Sequence, residues 1–235
     1  MKIERRCWLA TLSFAVLFAH FTFCGEPNTT QPAEKDPPRH KGFLTDIKKM
    51  NGNINLVFVG DSITDGWRGG GKAVWQKHFA PYKALNLGIS GDRTEHVLWR
   101  MKNGELDGYK ARLFVIMIGT NNGGDSAPDV AAGVEAIVKE IKEKQPQAKI
   151  LLLAIFPRSE KPEPGRLKNE EVNTLLAKMD DGGKTLKYLD IGDKFLNPDK
   201  SMSKDIMGDF LHPSPKGYDI WAKAIDEPVR HMLGM

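Results

Sequence analysis

The chemistry that this sequence could carry depends on Ser62, which follows Gly60 and Asp61, and on His212, which follows Asp209 by three residues. A serine hydroxyl is a poor nucleophile at neutral pH, so it needs a base to take its proton and a third group to orient that base. The spacing lets the Asp209 carboxylate fold back onto the imidazole and hold its tautomer. These residue types indicate acyl transfer, although the serine motif is also a common turn, and the histidine motif also fits a helix cap.

Acyl transfer also requires hydrogen-bond donors that point at the oxygen on which negative charge develops. Each such donor contributes about 2.7–4 kcal/mol of transition-state stabilisation. We expect the backbone amides of Ser62 and Gly88 and the side-chain amide of Asn121 to supply them, because these groups donate without adding a full charge. The alternative interpretations are a tight turn at Gly88 and an Asx turn or helix cap at Asn121.

These residues follow apolar runs that are typical of buried strands. Strands are predicted over residues 55–59, 84–87, 113–118, 150–155 and 186–191. Helices are predicted over residues 43–50, 73–79, 94–101, 128–144, 166–179 and 215–232, with a kink or break near Pro228. The alternation predicts βαβ units and a parallel sheet. Because parallel strands end at one edge, Ser62, Gly88, Asn121 and His212 should lie close together there.

Composition and charge narrow the classes of function. The chain has 235 residues, of which 40% are hydrophobic and 27% charged, as in an ordinary globular protein. The formal net charge is +4, but no basic run is interleaved with aromatic residues, so no nucleic-acid partner is expected. The acidic residues Asp61, Asp65 and Asp92 lack an accompanying histidine cluster, so no metal ion or other cofactor is expected.

The first residues differ from the rest of the chain. A basic start, Lys2 to Arg6, leads into an apolar stretch, which predicts a signal peptide over residues 1–24 and a secreted or periplasmic protein. The alternatives are an uncleaved membrane anchor and a lipoprotein cysteine at Cys24. Both cysteines, Cys7 and Cys24, lie in this segment, so no disulfide is expected after cleavage. Residues 25–42 are rich in proline and polar side chains, which predicts a flexible linker before a catalytic domain at 43–235.

Four blocks of the sequence resemble those of the SGNH (GDSL-type) hydrolases. They are Gly60 to Ile63, Asn86 to Asp92, Gly119 to Asn122 and Asp209 to Pro213. Longer strings, such as His96 to Leu106 and Asp205 to His212, are similar to the catalytic subunits of the intracellular platelet-activating-factor acetylhydrolases. The resemblance covers about residues 45–232, which is nearly the whole predicted catalytic domain.

The resemblance implies a flavodoxin-like three-layer α/β/α sandwich with a five-stranded parallel sheet, and ester hydrolysis without a metal ion. It implies Ser62 as nucleophile, His212 as base and Asp209 as the group that orients it. The implied oxyanion donors are Ser62, Gly88 and Asn121, and the implied acyl pocket consists of Ile63, Thr120 and Leu211. The members of the group that this chain resembles pair as dimers, which makes a homodimer an expectation.

The sequence therefore favours a serine esterase that removes acetyl or similarly short acyl groups from a small-molecule ester. The natural substrate could be an acetylated carbohydrate or an acetylated phospholipid. One alternative is a lysophospholipase or thioesterase that acts on longer acyl chains. Another is a non-catalytic domain that binds a carbohydrate or a protein.

Overall fold

A computed structural model describes residues 27–235 and contains a sheet of five parallel strands. The strands are β1 (Leu56–Gly60), β2 (Ala84–Gly88), β3 (Leu113–Met117), β4 (Lys149–Leu153) and β5 (Leu186–Leu189). Their order across the sheet is β2-β1-β3-β4-β5, which is the flavodoxin-like order. The predicted fold class is confirmed. In this order the ligand-binding crevice lies at the carboxyl ends of β1 and β3.

Helices cover both faces of the sheet, which is why the central strands are uninterrupted apolar runs. The helices are α1 (Pro37–Met50), α2 (Ser62–Asp65), α3 (Lys72–His78), α4 (Thr94–Arg100), α5 (Ala127–Lys144), α6 (Pro164–Leu176) and α7 (Pro215–Met232). A π-helical turn, Met101–Glu105, follows α4, and short 3₁₀ turns lie at Asn28–Thr30, Gly66–Arg68, Ala80–Tyr82, Ala177–Met179 and Gly192–Phe195.

Alternate side chains of each strand enter two separate hydrophobic layers. Val57 and Phe114 point into the layer formed with α1, α4, α5 and α6. Phe58 and Val115 point into the opposite layer, formed with α3 and α7. Every one of these four side chains is at most 1% exposed, so the sheet is held as the middle layer of a three-layer sandwich.

Helix α7 continues through Pro228, where the sequence predicts a kink or a break. A proline inside a helix costs about 3 kcal/mol because it removes a hydrogen bond and crowds the preceding turn. Ile225, Val229 and Met232 are all buried on either side of it. Each buried side chain of this kind contributes about 1.5–3 kcal/mol, so the packing of this face outweighs the cost of the proline.

The segment before residue 43 is folded against the domain, which corrects the prediction of a flexible linker over residues 25–42 for its described part. Thr29 is 0% exposed, and its hydroxyl donates to the Asp129 carbonyl at 2.6 Å. Helix α1 already begins at Pro37. Proline is favoured in the first turn of a helix because the missing N–H is not needed there, so Pro37 and Pro38, two of the prolines on which the linker prediction rests, start a helix instead.

The predicted signal peptide, residues 1–24, lies outside the described residues. Between residues 27 and 235, no helix is long and apolar enough to cross a membrane.

Candidate active site

Ser62, His212 and Asp209 form one hydrogen-bonded chain at the carboxyl edge of the sheet. The distance between Ser62 Oγ and His212 Nε2 is 2.8 Å, and that between His212 Nδ1 and Asp209 Oδ2 is 2.6 Å. A carboxylate on Nδ1 selects the tautomer that carries its proton there, which leaves Nε2 as the acceptor for the serine hydroxyl. The arrangement has the geometry needed to activate a serine.

The loop around Asp209 keeps its carboxylate directed at the imidazole. Asp209 Oδ1 accepts hydrogen bonds from the backbone amides of Leu211 at 3.0 Å and His212 at 2.7 Å. Phe210, between Asp209 and Leu211, has a φ of 59°, a conformation that non-glycine residues seldom adopt and that is often found at functional sites. Partial burial alone would raise the pKa of Asp209, but the bonds from the His212 ring and the two amides lower it to about 2. Asp209 is therefore ionised at any ordinary working pH.

The turn that carries Ser62 is held by the residues before it. Gly60 allows the turn, because a Cβ there would lie 2.2 Å from Thr64 Oγ1 and 2.4 Å from the Met117 carbonyl oxygen. Asp61 caps helix α2 by accepting the Ile63 amide hydrogen at 3.0 Å. This contact braces the loop that carries Ser62. Burial raises the pKa of Asp61 to about 7.

Gly88 does not offer the free amide that the sequence predicts. Its N–H donates to Asn86 Oδ1 at 2.8 Å, and the residue lies in β2 opposite Gly60. A Cβ at this position would be 2.3 Å from the Asp65 amide nitrogen. The glycine is therefore required for close packing between β2 and helix α2, and its assignment as an oxyanion donor is wrong.

Gly91, in the loop three residues after Gly88, has the free backbone amide that Gly88 lacks. Its φ is 74°, and its amide has no hydrogen-bond partner within residues 27–235. Asn121 Nδ2 donates to the Asp92 carbonyl at 2.9 Å, which brings the Asn121 amide beside this loop and leaves its second N–H available. The sequence contains both glycines, and only the path of the backbone distinguishes them.

The three residues expected to form the acyl pocket differ in exposure. Ile63 is 1% exposed and Thr120 is 3% exposed, whereas Leu211 is partly exposed. The Thr120 carbonyl accepts from Arg158 Nη1 at 3.1 Å, so its backbone is fixed next to Asn121. Ile63 and Thr120 therefore present almost no surface to solvent, and Leu211 carries most of the exposed surface of the three.

Ser62 and His212 open onto a cleft of ≈ 540 Å³, which Arg39, Asp65 and Arg68 also line. Over the described part of the chain, no group of three or more histidine, cysteine and acidic side chains could hold a metal ion.

The sequence pattern of the GDSL-like lipase/acylhydrolase family matches residues 58–220, the region that contains the serine, the asparagine and the histidine of this site. The chain belongs to this family. It is 42% identical over 195 residues to platelet-activating factor acetylhydrolase IB subunit alpha2 of Rattus norvegicus, and the match covers 83% of each chain.

Two solved structures have the same fold. A putative acylhydrolase from Bacteroides fragilis has a TM-score of 0.70 at 20% identity, and the match covers 85% of this chain and 100% of that one. Est24, a carbohydrate acetylesterase from Sinorhizobium meliloti, has a TM-score of 0.60 at 18% identity, with 76% and 99% covered. The family match and the relative at 42% identity identify the chain as a carboxylic ester hydrolase.

The same comparison corrects the predicted location. The curated relatives are subunits of platelet-activating factor acetylhydrolase IB, and they contradict the prediction of a secreted or periplasmic protein. The basic and apolar start of the chain was the whole basis of that prediction, and a hydropathy pattern alone does not establish export.

Proposed function

We propose that this protein hydrolyses acetyl and similarly short esters through an acyl-enzyme formed on Ser62. The observation that carries the proposal is the continuous chain of hydrogen bonds from Ser62 through His212 to Asp209, at 2.8 and 2.6 Å. The relatives named as an acetylhydrolase and a carbohydrate acetylesterase support an acetyl ester. An acetylated carbohydrate and an acetylated phospholipid are the two substrate classes that these names suggest.

The proton path follows from the hydrogen bonds. Ser62 Oγ attacks the ester carbonyl carbon while its proton passes to His212 Nε2, and Asp209 stabilises the resulting imidazolium. The tetrahedral intermediate collapses as the bond to the alcohol oxygen breaks, and His212 gives its proton to that oxygen. Water then attacks the acyl-enzyme, again losing a proton to Nε2, and the carboxylic acid leaves as Ser62 regains its hydrogen.

Three donors from separate loops serve the oxyanion in this proposal. They are the Ser62 amide at the N-terminus of α2, the Gly91 amide, and the side-chain amide of Asn121. Gly91 takes the role that the sequence suggests for Gly88, because the Gly88 amide already donates to Asn86 Oδ1. The bond from Asn121 to the Asp92 carbonyl fixes two of these donors relative to each other, so little reorganisation is needed during reaction.

Ile63, Thr120 and Leu211 enclose the acyl group in this proposal. Ile63 and Thr120 are almost completely buried, so they leave little room beyond a methyl group or a short chain. Leu211, which directly precedes the base, is the side chain that can move away to admit a longer acyl group. This limit on length favours an acetyl ester over the long-chain esters of lysophospholipids.

The proposal is tested by comparing Ser62→Ala with Ser201→Ala on p-nitrophenyl acetate. Ser201 is a loop serine whose hydroxyl bonds to Asp199 at 2.6 Å, so its removal controls for loss of a serine as such. Ser62→Ala should lose hydrolysis while its circular dichroism spectrum and thermal midpoint stay those of the wild type. Wild-type activity in a folded Ser62→Ala variant would disprove the assignment of the nucleophile.

A further inference from the structure

Two guanidinium groups share a single carboxylate in the cleft next to Ser62. Arg39 Nη2 lies 2.9 Å from Asp65 Oδ1, and Arg68 Nη1 lies 2.5 Å from the same oxygen. The arginine side chains are 39% and 34% exposed. None of the proposed steps of ester hydrolysis uses either arginine, so their position on the cleft needs another explanation.

The charges around this pair leave it with an excess positive charge. Asp65 also accepts from the Ser90 hydroxyl at 3.0 Å, a neutral contact that supplies no further negative charge. Of the other acidic residues nearby, Asp36 accepts the Arg39 backbone amide hydrogen at 3.1 Å as the cap of helix α1, and two others have cations of their own. Asp46 lies 3.7 Å from Lys49, and Asp92 is paired with Arg100 at 2.8 Å and with Lys35 at 3.3 Å.

Both guanidinium groups are held in place before any ligand arrives. Arg68 donates to the carbonyl oxygens of Asn86 and Gly88. The Phe43 ring lies 5.2 Å from the Arg39 guanidinium carbon and 5.1 Å from that of Arg68, within the range of a cation–π contact. Burial, followed by the charge of Arg39, lowers the pKa of Arg68, which agrees with two like charges lying close together.

The pair lies close to the reacting atoms. Asp65 is three residues after Ser62 in α2, and residues at that spacing have Cβ atoms about 5–6 Å apart on one helix face. Arg39, Arg68, Ser62 and His212 line the same cleft. A group bound by the arginines would therefore be only a few bonds from an ester carbonyl positioned at Ser62.

We propose that Arg39 and Arg68 bind a negatively charged group, a carboxylate or a phosphate, on the alcohol part of the ester. The proposal rests on the proposed acetyl esterase activity and adds the chemical class of its substrate. An acetyl group has no position for a charge, so the charge belongs to the alcohol that leaves. The planar guanidinium fork matches the oxygens of either anion and can bind two of them at once.

The test uses two acetate esters, 4-acetoxybenzoate and methyl 4-acetoxybenzoate, which carry a carboxylate and its neutral methyl ester at the same ring position, so their intrinsic difference in reactivity is the same for every variant. The measured quantity is the ratio of kcat/KM for the charged ester to that for the neutral ester. The wild type should prefer the charged ester, and Arg39→Gln should lower the ratio about five- to tenfold, chiefly through KM, because one charge-assisted contact is lost. Arg39→Lys, which keeps the charge, should lose less of the preference.

Asp65→Asn provides a change of opposite sign, because it removes the carboxylate that both arginines share. The ratio should rise in Asp65→Asn, whereas general damage to the cleft would lower it in Asp65→Asn as well as in Arg39→Gln. Arg230→Gln is the matched control. Arg230 lies 15 residues after Pro215 in α7, about 22 Å along the helix axis, and its loss should leave the ratio unchanged.

In a third ester a phosphate replaces the carboxylate, and Arg39→Gln should lower the preference of the enzyme for this ester as well. The anion with the larger wild-type ratio is the better representative of the natural group. If both benzoate esters are cleaved and their ratio is the same in wild type, Arg39→Gln and Asp65→Asn, the anion site is refuted and the esterase activity stands. If the wild type cleaves none of these esters, the proposed function itself fails.

Discussion

Removal of the Asp61 carboxylate is a perturbation whose effect on folding can be worked out from the structure. The side chain is 0% exposed between β1 and Ser62. One oxygen accepts the Ile63 amide hydrogen, and the other, Oδ2, has no hydrogen-bond partner anywhere in residues 27–235. An ionised carboxylate here loses its hydration without full replacement, which is why burial raises the pKa of Asp61 to about 7.

The raised pKa couples the protonation of Asp61 to folding. The folded protein keeps this proton up to about pH 7, whereas the unfolded chain releases it near 3.8. Between these values the unfolded state binds fewer protons, so the free energy of unfolding decreases as the pH rises. At about 1.36 kcal/mol per pKa unit, the full cost of ionising Asp61 is about 4 kcal/mol, of which about 2 kcal/mol develops between pH 5 and pH 7.

Asp61→Asn keeps an acceptor for the Ile63 amide and removes the titratable group. The assay is urea unfolding of wild type and variant at a series of pH values from 5 to 8. From pH 5 to pH 8, the free energy of unfolding of Asp61→Asn should increase by about 2 kcal/mol relative to that of the wild type. Asp46→Asn is the control, because Asp46 is 57% exposed. Parallel pH curves for wild type and Asp61→Asn would refute the reasoning.

Two further predictions concern the oxyanion and the acyl group. Asn121→Ala should lower kcat for p-nitrophenyl acetate about 10²–10³-fold because one oxyanion donor is lost. Asn103→Ala, at an exposed asparagine that bonds to a neighbouring carbonyl, should leave kcat unchanged, and an unaltered kcat in Asn121→Ala would remove Asn121 from the site. Hydrolysis of p-nitrophenyl esters should fall steeply from acetate to octanoate because Ile63 and Thr120 leave little space. Leu211→Ala should raise the rate on octanoate relative to acetate, and equal wild-type rates on both esters would exclude a small acyl pocket.

The strands of the sheet could be predicted in some detail because the pattern of apolar residues that marks them is local and repetitive. Runs such as Leu113 to Met117 are apolar on both faces, and glycines follow or end the first three strands, so each strand is visible in the sequence. The parallel connection then places the loops after β1, β2 and β3 at one edge. This is why Ser62, Asn121 and His212 could be expected together before any distance was known.

The choice between Gly88 and Gly91 could not be made from local pattern, because it depends on where one backbone N–H points. Gly88 ends β2 and Gly91 lies three residues later in the loop, and both have a steric or conformational reason to be glycine. The hydrogen bond from Gly88 to Asn86 uses a side chain only two residues away. The Asn86 side chain is held in this position by a second bond, from Nδ2 to the Thr64 carbonyl at 2.9 Å, and that partner, 22 residues away, is not visible in a local pattern.

The N-terminal segment shows the opposite error, because its prolines, a local signal, outweighed contacts with distant residues in the prediction of a linker. Pro37 and Pro38 suggest an extended linker, yet they start a helix that brings His40 to a buried contact with Glu105 at 2.8 Å. Partners 65 residues apart are not visible in a local pattern. The expected homodimer is not tested by a single chain and stays a prediction.

The most direct test of the central claim is to identify the atom that a fluorophosphonate probe modifies. After reaction and proteolysis, mass spectrometry should find a single adduct, on Ser62, and acetate ester hydrolysis should fall in proportion to labelling. Ser62→Ala should take up no probe, whereas Ser201→Ala should label like the wild type. An adduct on another residue, or full hydrolysis by protein in which Ser62 is completely labelled, would contradict the account.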